Sequence, residues 1–599
     1  MLKNLKTYFC LGFLNILRVA IYRITLKIRL HPVQYIKSSI ASAPFFRISE
    51  RQGEIPPEIK DWDNSIYLFG WYKKKIENKI PDWFTNLFSN NHFTNFYKNW
   101  WHIPDFENDD IKCIWELSRF NWAVGFSTKI ANGDTLSLSK LNIWLENWSK
   151  LNPPYKGPNW KCSQECSIRV INLLTAARVL GQDQNPESGL IDIIKTHLKR
   201  IEKTLSYAIA QQNNHATSEA TALFMGGNFL LNHEKRAKKW EMKGRRLLED
   251  HAINLIEPDG TFSQYSTNYH RVMLDTYSIA EAWRRSRNLK SFSNNLNNKL
   301  KLATEWLWTF TDFDSGEVPI IGANDGSKIL QLSRCDYKDY RPSIQLAAAL
   351  FMNVDAFGDG LWNETLSWFG VPRGEFSKTI GSKTYIYGGY HVLRKKESMA
   401  ILNYPKFRFR PSQADALHVD LWKNGKNLLR DGGTFSYNSK MSNWYSSTAA
   451  HNTIEFDKQN QMHKISKFLF ADWLKTKEIN LVKNYENCLV ASAAYKDNFM
   501  NTHKREIILT ENTFICNDKI DGNFKEACLR WRLIPEQWQI KDKILRNLNY
   551  SISIEINGKL ITPTIDKTFE SDYYYKQNEV PMIYIKVDKP SILVTKFTF

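Results

Sequence analysis

Two short runs of the chain set groups that move protons beside groups that hold a charge. The run QQNNH, at 211–215, ends in an amide and an imidazole, Asn214 and His215. The run STNYHR, at 266–271, sets Tyr269 among Asn268, His270 and Arg271. A phenol, with an ordinary pKa of about 10, is a competent acid. An imidazole exchanges protons near neutrality. Most of the 26 tyrosines belong in a core, but polar neighbours on both sides are unusual for a core position. The blander reading of QQNNH is an Asn-rich turn that caps a helix, because Asn accepts the first free N–H groups. Glu165 and Arg169 stand i, i+4 in CSQECSIRV, the spacing of a helical ion pair worth about 0.3–0.5 kcal/mol. In RFRPSQADALHVDLW, at 408–422, Arg410 offers a planar fork that grips a carboxylate with two hydrogen bonds. In the same run His418 and Asp420 alternate onto one face of a strand.

The charge balance says what such groups meet. Lys plus Arg is 81 against 62 Asp plus Glu, a formal charge of +19. A surface that basic favours polyanions: nucleic acid, anionic lipid or an acidic polysaccharide. No helix-turn-helix spacing, RNP-like segment or zinc finger supports nucleic acid. With 43% hydrophobic and 14% aromatic residues the chain is globular, and its 8 cysteines are too sparse for a disulfide scaffold. No apolar run reaches the ~18 residues of a membrane span. Seven basic residues and no acidic one fall in the first 38 positions. That segment reads as a signal peptide, with Lys3 and Lys6 before a short apolar stretch from Tyr8 to Leu17. Asn15 and Arg18 interrupt the apolar stretch and no small-x-small site follows promptly, and the blander reading is a basic amphipathic helix lying on a membrane surface or on the rest of the protein.

The elements that position these groups follow from periodicity. From about 60 to 370 the apolar period is helical, as in Leu141, Trp144, Leu145 and Trp148. Further helices are expected over roughly 111–130, 163–180, 216–231, 236–254, 271–287 and 297–313. After about 375 the period becomes two, in TYIYGGYHVLR, SMAILNY, ALHVDLW and HNTIEF, with turn signals such as KNGKN and DGGT between them. The expected fold class is multidomain α + β, a helical array or toroid followed by an antiparallel β-sandwich. The expected boundaries are a basic segment at 1–60, the helical domain at 61–372 and the sandwich at 373–599.

Several segments together resemble the heparinase II/III family of polysaccharide lyases. They are WELSRF at 115–120, NPPYKGPNWKCSQECSIRVINLL at 152–174, NNHATSEATAL at 213–223 and DGTFSQYSTNYHRVMLD at 259–275. In the β half they are ADALHVDLWKNGKNLLRDGGTFSYN at 414–438 and STAAHNTIEFDKQNQ at 447–461. The resemblance implies an (α/α) toroid, a C-terminal β-sandwich and a cleft between them. It also implies β-elimination on a uronate-containing polysaccharide. That chemistry has three jobs: neutralise the carboxylate, take the C5 proton, and protonate the leaving glycosidic oxygen. On this reading Asn214 hydrogen-bonds the carboxylate, and His215 is the base for one uronate epimer or a second neutraliser. Tyr269 is the acid and, if partly ionised by cations, a base as well. Trp160, Glu165 and Arg169 would line the channel, with Trp160 as a sugar-stacking surface, and Asn268 and His270 would bind substrate.

One departure from the family concerns its His-x-His-Ala-Asp motif, whose histidines neutralise substrate and bind a structural zinc. Here Pro411 and Gln413 replace the two histidines, while Asp415 remains. Asp431 and His451 match the other two zinc ligands, so the only cofactor implied is a structural zinc held by Asp431 and His451 with Gln413, a poor ligand. Arg408, Arg410 and His418 are the candidates for the missing neutraliser, and Tyr437 or Tyr445 for a second phenol. The expected partner is an acidic polysaccharide, with no nucleic acid and with peripheral membrane contact through the basic N-terminus. The expected location is the cell envelope or periplasm of a bacterium, with the cytoplasm as the alternative. Two rival functions stand beside the lyase. One is a non-catalytic glycan-binding or exopolysaccharide assembly factor. The other is a glycoside hydrolase using two of Glu165, Glu219 and Asp325 as paired carboxylates.

Overall fold

A computed structural model describes residues 7–60, 62–77, 79–104, 109–377 and 380–599. Lys3 and Lys6, read above as the start of a signal segment, lie outside the described residues. Helix α1 (Phe13–Lys27) precedes the helical domain. That domain contains α2 (Lys112–Leu117), α3 (Asn121–Ala131), α4 (Thr135–Leu151), α5 (Ser163–Val179), α6 (Ser188–Gln211) and α7 (Asn214–Phe229). It continues with α8 (Ala237–Leu255), α9 (Thr267–Ser286), α10 (Asn294–Phe310) and α11 (Arg341–Phe351). The helix expected over 111–130 is two helices, because Phe120 sits in the left-handed region (φ 66°) between them.

Alternation builds the toroid. Helices α3, α5, α7, α9 and α11 each touch the next of the set, and α4, α6, α8 and α10 pack behind them. The inner helices are therefore buried nearly all round; in α5 only Arg178 escapes full burial. Outer helices such as α6 keep the amphipathic 3.6-residue period. Two glycines let α7 and α8 cross at backbone contact. A Cβ on Gly244 would lie 2.3 Å from the Phe224 nitrogen, and one on Gly227 2.3 Å from the Glu241 nitrogen. Because the inner helices run in one direction, their N-termini share one end of the ring. That end carries Glu165, Asn214, His215 and Tyr269.

The C-terminal half is antiparallel. A five-stranded sheet orders the strands 383–385, 390–395, 398–403, 419–423 and 426–429 consecutively. A nine-stranded sheet and a four-stranded sheet complete the sandwich. The strand Ser398–Asn403 is buried throughout because both its faces are covered. Ala400 and Leu402 join the sandwich core, while Met399 and Ile401 pack with Trp306, Phe310 and Ile344 of the helical domain. The period-two pattern thus sets the sheet between two cores, which fixes the sandwich against the helical end that bears the polar residues.

Candidate functional site

Capping chemistry decides which side chains are free. Asn213 is the N-cap of α7, its Oδ1 accepting the His215 N–H at 3.1 Å. The capping role expected for this turn thus falls one residue earlier than Asn214. Asn214 gives its backbone N–H to Gln264 Oε1 at 2.8 Å, and its carboxamide makes no hydrogen bond among the described residues. Ser266 caps α9 by accepting the Tyr269 N–H at 3.1 Å. Both helices therefore begin with their reactive side chain in the first turn and a neighbour doing the capping.

Tyr269 is half-buried, and its hydroxyl donates to Asp325 Oδ2 at 2.8 Å and lies 3.1 Å from the Tyr437 hydroxyl. Asp325 also accepts from Lys112, from the Ser327 N–H at 3.1 Å and from Asn268 Nδ2 at 3.5 Å. The Lys112 ammonium lies over the rings of Tyr437 and Tyr574, at 5.7 and 5.5 Å from their centroids. Against the cost of burial, Lys112 and Arg119 hold the Asp325 carboxyl well below the usual carboxylate range. Burial and the Asp325 charge push the Tyr269 phenol well above its ordinary value. Tyr269 is thus a neutral proton donor here. The phenolate base considered from the sequence is disfavoured, because an anion at its oxygen would face the Asp325 carboxylate.

His215 is half-buried and lies within electrostatic reach of Glu165, Arg410, Lys112 and Asp325. Burial, with the Arg410 and Lys112 charges, pulls its pKa down to about 4. A neutral imidazole suits a base and not a cationic neutraliser. Arg410, also half-buried, lies within electrostatic reach of Tyr269 and Tyr437 and has no carboxylate partner among the described residues. The other cations nearby are matched. Arg119 grips Glu165 through two bonds of 2.7 and 2.8 Å and reaches Glu116 at 2.6 Å, while Lys112 holds Asp325. Arg408 is held by Glu257 at 2.8 Å. One guanidinium is therefore left over at the junction of the two domains, beside a neutral imidazole and two phenols.

Other expected contacts fall elsewhere. Trp160 forms no sugar platform: it is 2% exposed, donates to the Asn152 carbonyl at 3.0 Å and packs against Tyr155 and His197. Arg169 is fully buried between Trp148 and Trp160, donating to His197 Nε2 at 2.8 Å and to the Asn159 carbonyl. Glu165 accordingly pairs with Arg119 and not with Arg169. His270 points into the ring wall, stacked on Trp306 at 4.3 Å and bonded to the Ala303 carbonyl. Asn268, 1% exposed, stands behind Tyr269 and accepts from Arg271 Nη2 at 2.9 Å. Tyr445 is buried against Phe435. The hydrolase reading fails on its carboxylates. Glu165 and Asp325 are tied to cations, and Glu219 is fully buried with its pKa raised by burial to about 8.

His418 does not face the cleft. It is 2% exposed in a buried cluster with Asp431 and His451. Asp431 Oδ2 lies 2.8 Å from His451 Nδ1 and 3.5 Å from His418 Nε2. The Asn452 N–H donates to His418 Nδ1 at 2.9 Å, so the proton of the neutral ring sits on Nε2 and goes to Asp420 Oδ2 at 2.9 Å. Both nitrogens of His418 are thereby engaged. Gln413 turns its Nε2 to the Gly433 carbonyl at 3.4 Å. His418, Asp431 and His451 bring one ligand atom each within 4.8 Å of one another, and His451 Nε2 is buried with no hydrogen-bond partner among the described residues, so three good donors converge where a structural zinc takes four. With His418 bonded to both Asp420 and Asn452, the cluster also ties neighbouring segments of the sandwich together through hydrogen bonds.

Lys112 and Tyr574 belong to the site without any signal in the sequence beyond the triplet Tyr573, Tyr574, Tyr575. Asp325 was visible only as a hydrolase carboxylate. Each reaches the pocket from a distant part of the chain.

Comparison with known proteins agrees with this architecture. Residues 73–339 match the heparinase II/III N-terminus and residues 378–566 the heparinase II/III-like C-terminal domain, together about three quarters of the chain. A heparin-sulfate lyase of Bacteroides stercoris is 26% identical over 157 residues, which span 24% of this chain and 22% of that protein. The crystal structure of heparinase III superposes with a TM-score of 0.63 at 18% identity, covering 86% of this chain and 82% of that one. A heparan sulfate lyase of Pedobacter heparinus gives a TM-score of 0.55 at 18% identity, covering 85% and 80%. At such identity the two structures speak for the fold, a helical toroid followed by a β-sandwich.

Proposed function

We propose, from the premise that this chain belongs to the heparinase II/III family of polysaccharide lyases, that it cleaves a uronate-containing polysaccharide by β-elimination. The observation that carries the reading is the uncompensated Arg410 guanidinium, set beside a neutral imidazole and a neutral phenol. Arg410 and the free carboxamide of Asn214 bind the uronate carboxylate, which acidifies the C5 hydrogen. His215 takes that proton. The electron pair of the C5–H bond forms the C4–C5 double bond, and the C4–O bond breaks. The leaving oxygen takes the Tyr269 proton. The Tyr269 anion left beside Asp325 is unstable and is reprotonated through solvent from the His215 imidazolium, restoring the site. Arg410 does the work of the histidine that Pro411 replaces.

The test is an ultraviolet screen of the purified chain against uronate polysaccharides, sulfated and unsulfated, with and without chelator. The expected result is a rising absorbance from the unsaturated uronate with at least one polymer. Cleavage that yields new reducing ends with no chromophore would overturn the assignment in favour of hydrolysis. Tight glycan binding with no cleavage across the panel would favour the assembly-factor reading.

A further inference from the structure

Helix α1 presents an apolar face that none of the described residues covers. Phe13, Leu14, Leu17, Ile21, Ile24 and Ile28 are 42–70% exposed. At about 100° per residue these positions fall within an arc of about 100°, one stripe along the helix. Single exposed apolar residues are ordinary, but a continuous stripe of six marks a contact surface. The opposite side of the helix is anchored. Tyr22 stacks on Tyr207 of α6 at 4.3 Å and meets His31 edge-on at 5.2 Å, while the Leu26 carbonyl accepts from Gln34 Nε2 at 3.2 Å. The helix is thus held flat on the body with its apolar stripe turned outward.

Charge identifies the occupant. Arg18 borders the stripe on one side, Arg23 and Lys27 on the other, and Arg29 follows the helix. The first acidic residue of the chain is Glu50. On the neighbouring helix, Lys199 reaches the Lys37 carbonyl at 3.5 Å, which extends the basic surface. Among the described residues no helix is long and apolar enough to cross a bilayer. An apolar stripe with basic borders is the pattern of a helix lying in the headgroup region of an anionic membrane. A second copy of the same face would bring its cations against these cations, so self-association is the poorer match.

We propose that α1 docks the protein flat on an anionic lipid bilayer, with the stripe from Phe13 to Ile28 in the headgroup region. Tyr207, on which the helix stacks, lies within electrostatic reach of Arg410. Docking therefore holds the cleft beside the bilayer and directs the protein to acidic glycans at a membrane surface. This consequence rests on the proposed function, whereas the docking itself does not.

Co-sedimentation of the full chain with vesicles tests the proposal. The chain is expected to pellet with phosphatidylcholine–phosphatidylglycerol vesicles, to stay in solution with phosphatidylcholine alone, and to be released by salt. Leu17→Glu with Ile24→Glu should weaken binding at least about tenfold, and Arg18→Glu with Arg23→Glu should do the same. All four side chains are exposed and none belongs to the proposed catalytic machinery, so melting temperature and turnover of a soluble substrate should stay at wild-type values. Failure to pellet with anionic vesicles at low salt would overturn the proposal, as would undiminished binding by the Leu17/Ile24 variant. A wild-type dimer in gel filtration that the same variant dissolves would assign the face to a second copy instead. Intact mass showing that cells remove the helix would also refute docking.

Discussion

Replacing Tyr269 with Phe deletes one oxygen and keeps the ring. The lost interactions are the 2.8 Å bond to Asp325 and the 3.1 Å contact with Tyr437. Asp325 keeps Lys112 and the Ser327 N–H, so no carboxylate is left bare. A hydrogen bond to a charged group contributes about 1.5–3 kcal/mol to stability, and the surviving partners bring the expected loss toward the lower end. In a chain of this size that is a shift of only a few degrees in melting temperature. Turnover should suffer far more. Removing a general acid costs about 10²–10⁴-fold, or about 3–5 kcal/mol of barrier. Because the proton moves only in the transition state, kcat should fall with little change in KM. The assay is the ultraviolet rate on the best polymer from the screen, paired with a thermal melt. Tyr437→Phe is the control. It removes a neighbour of the acid and leaves the acid in place, so its loss should stay within about tenfold. Turnover by Tyr269→Phe within tenfold of wild type would refute the assignment. If Tyr437→Phe were the crippled variant, the acid would be Tyr437.

Four further outcomes are expected. His215 titrates at about 4 when folded, below its ordinary 6.5, so kcat/KM should keep its value through pH 6.5 and fall only near pH 4; an acid limb near 6.5 would contradict the neutral-base role. The same depressed value means that its contribution to stability is complete above about 6.5 and is lost as pH falls through 4. Arg410→Ala should lower kcat/KM by about 10²-fold, and Arg410→Lys should restore it only in part, since an ammonium lacks the planar fork; an unaffected Arg410→Ala would remove the carboxylate-binding role. Chelator should leave the melting temperature unchanged, because His418 is already committed to Asp420 and Asn452; a clear drop, reversed by zinc, would show that the cluster holds metal. Gly244→Ala should cost about 1–3 kcal/mol in chemical denaturation, because its Cβ meets the Phe224 backbone at 2.3 Å; a neutral effect would mean that α7 and α8 part easily.

What the sequence determined by itself was local in origin. The change from a 3.6-residue to a two-residue period near 375 follows from which side chains face a core, and it located the helical ring and the sandwich. Short runs of residues, QQNNH and STNYHR, carried Asn214, His215 and Tyr269 because a helix start is written in a few consecutive positions. Only the tertiary structure decided partners. Tyr269 meets Asp325 across 56 residues and Tyr437 across 168, and Lys112 reaches Asp325 across 213. Trp160 and Arg169, which the family resemblance placed on a channel wall, bury each other in an aromatic cluster. His418, which alternation turned toward a cleft, has its nitrogens filled by Asp420 and Asn452. Arg408 and Arg410 are two residues apart and alike in sequence, yet one is neutralised by Glu257 and the other stands unmatched beside two phenols. Periodicity states which way a side chain leans; whether a charge there is compensated depends on what distant parts of the chain bring within a few ångströms of it.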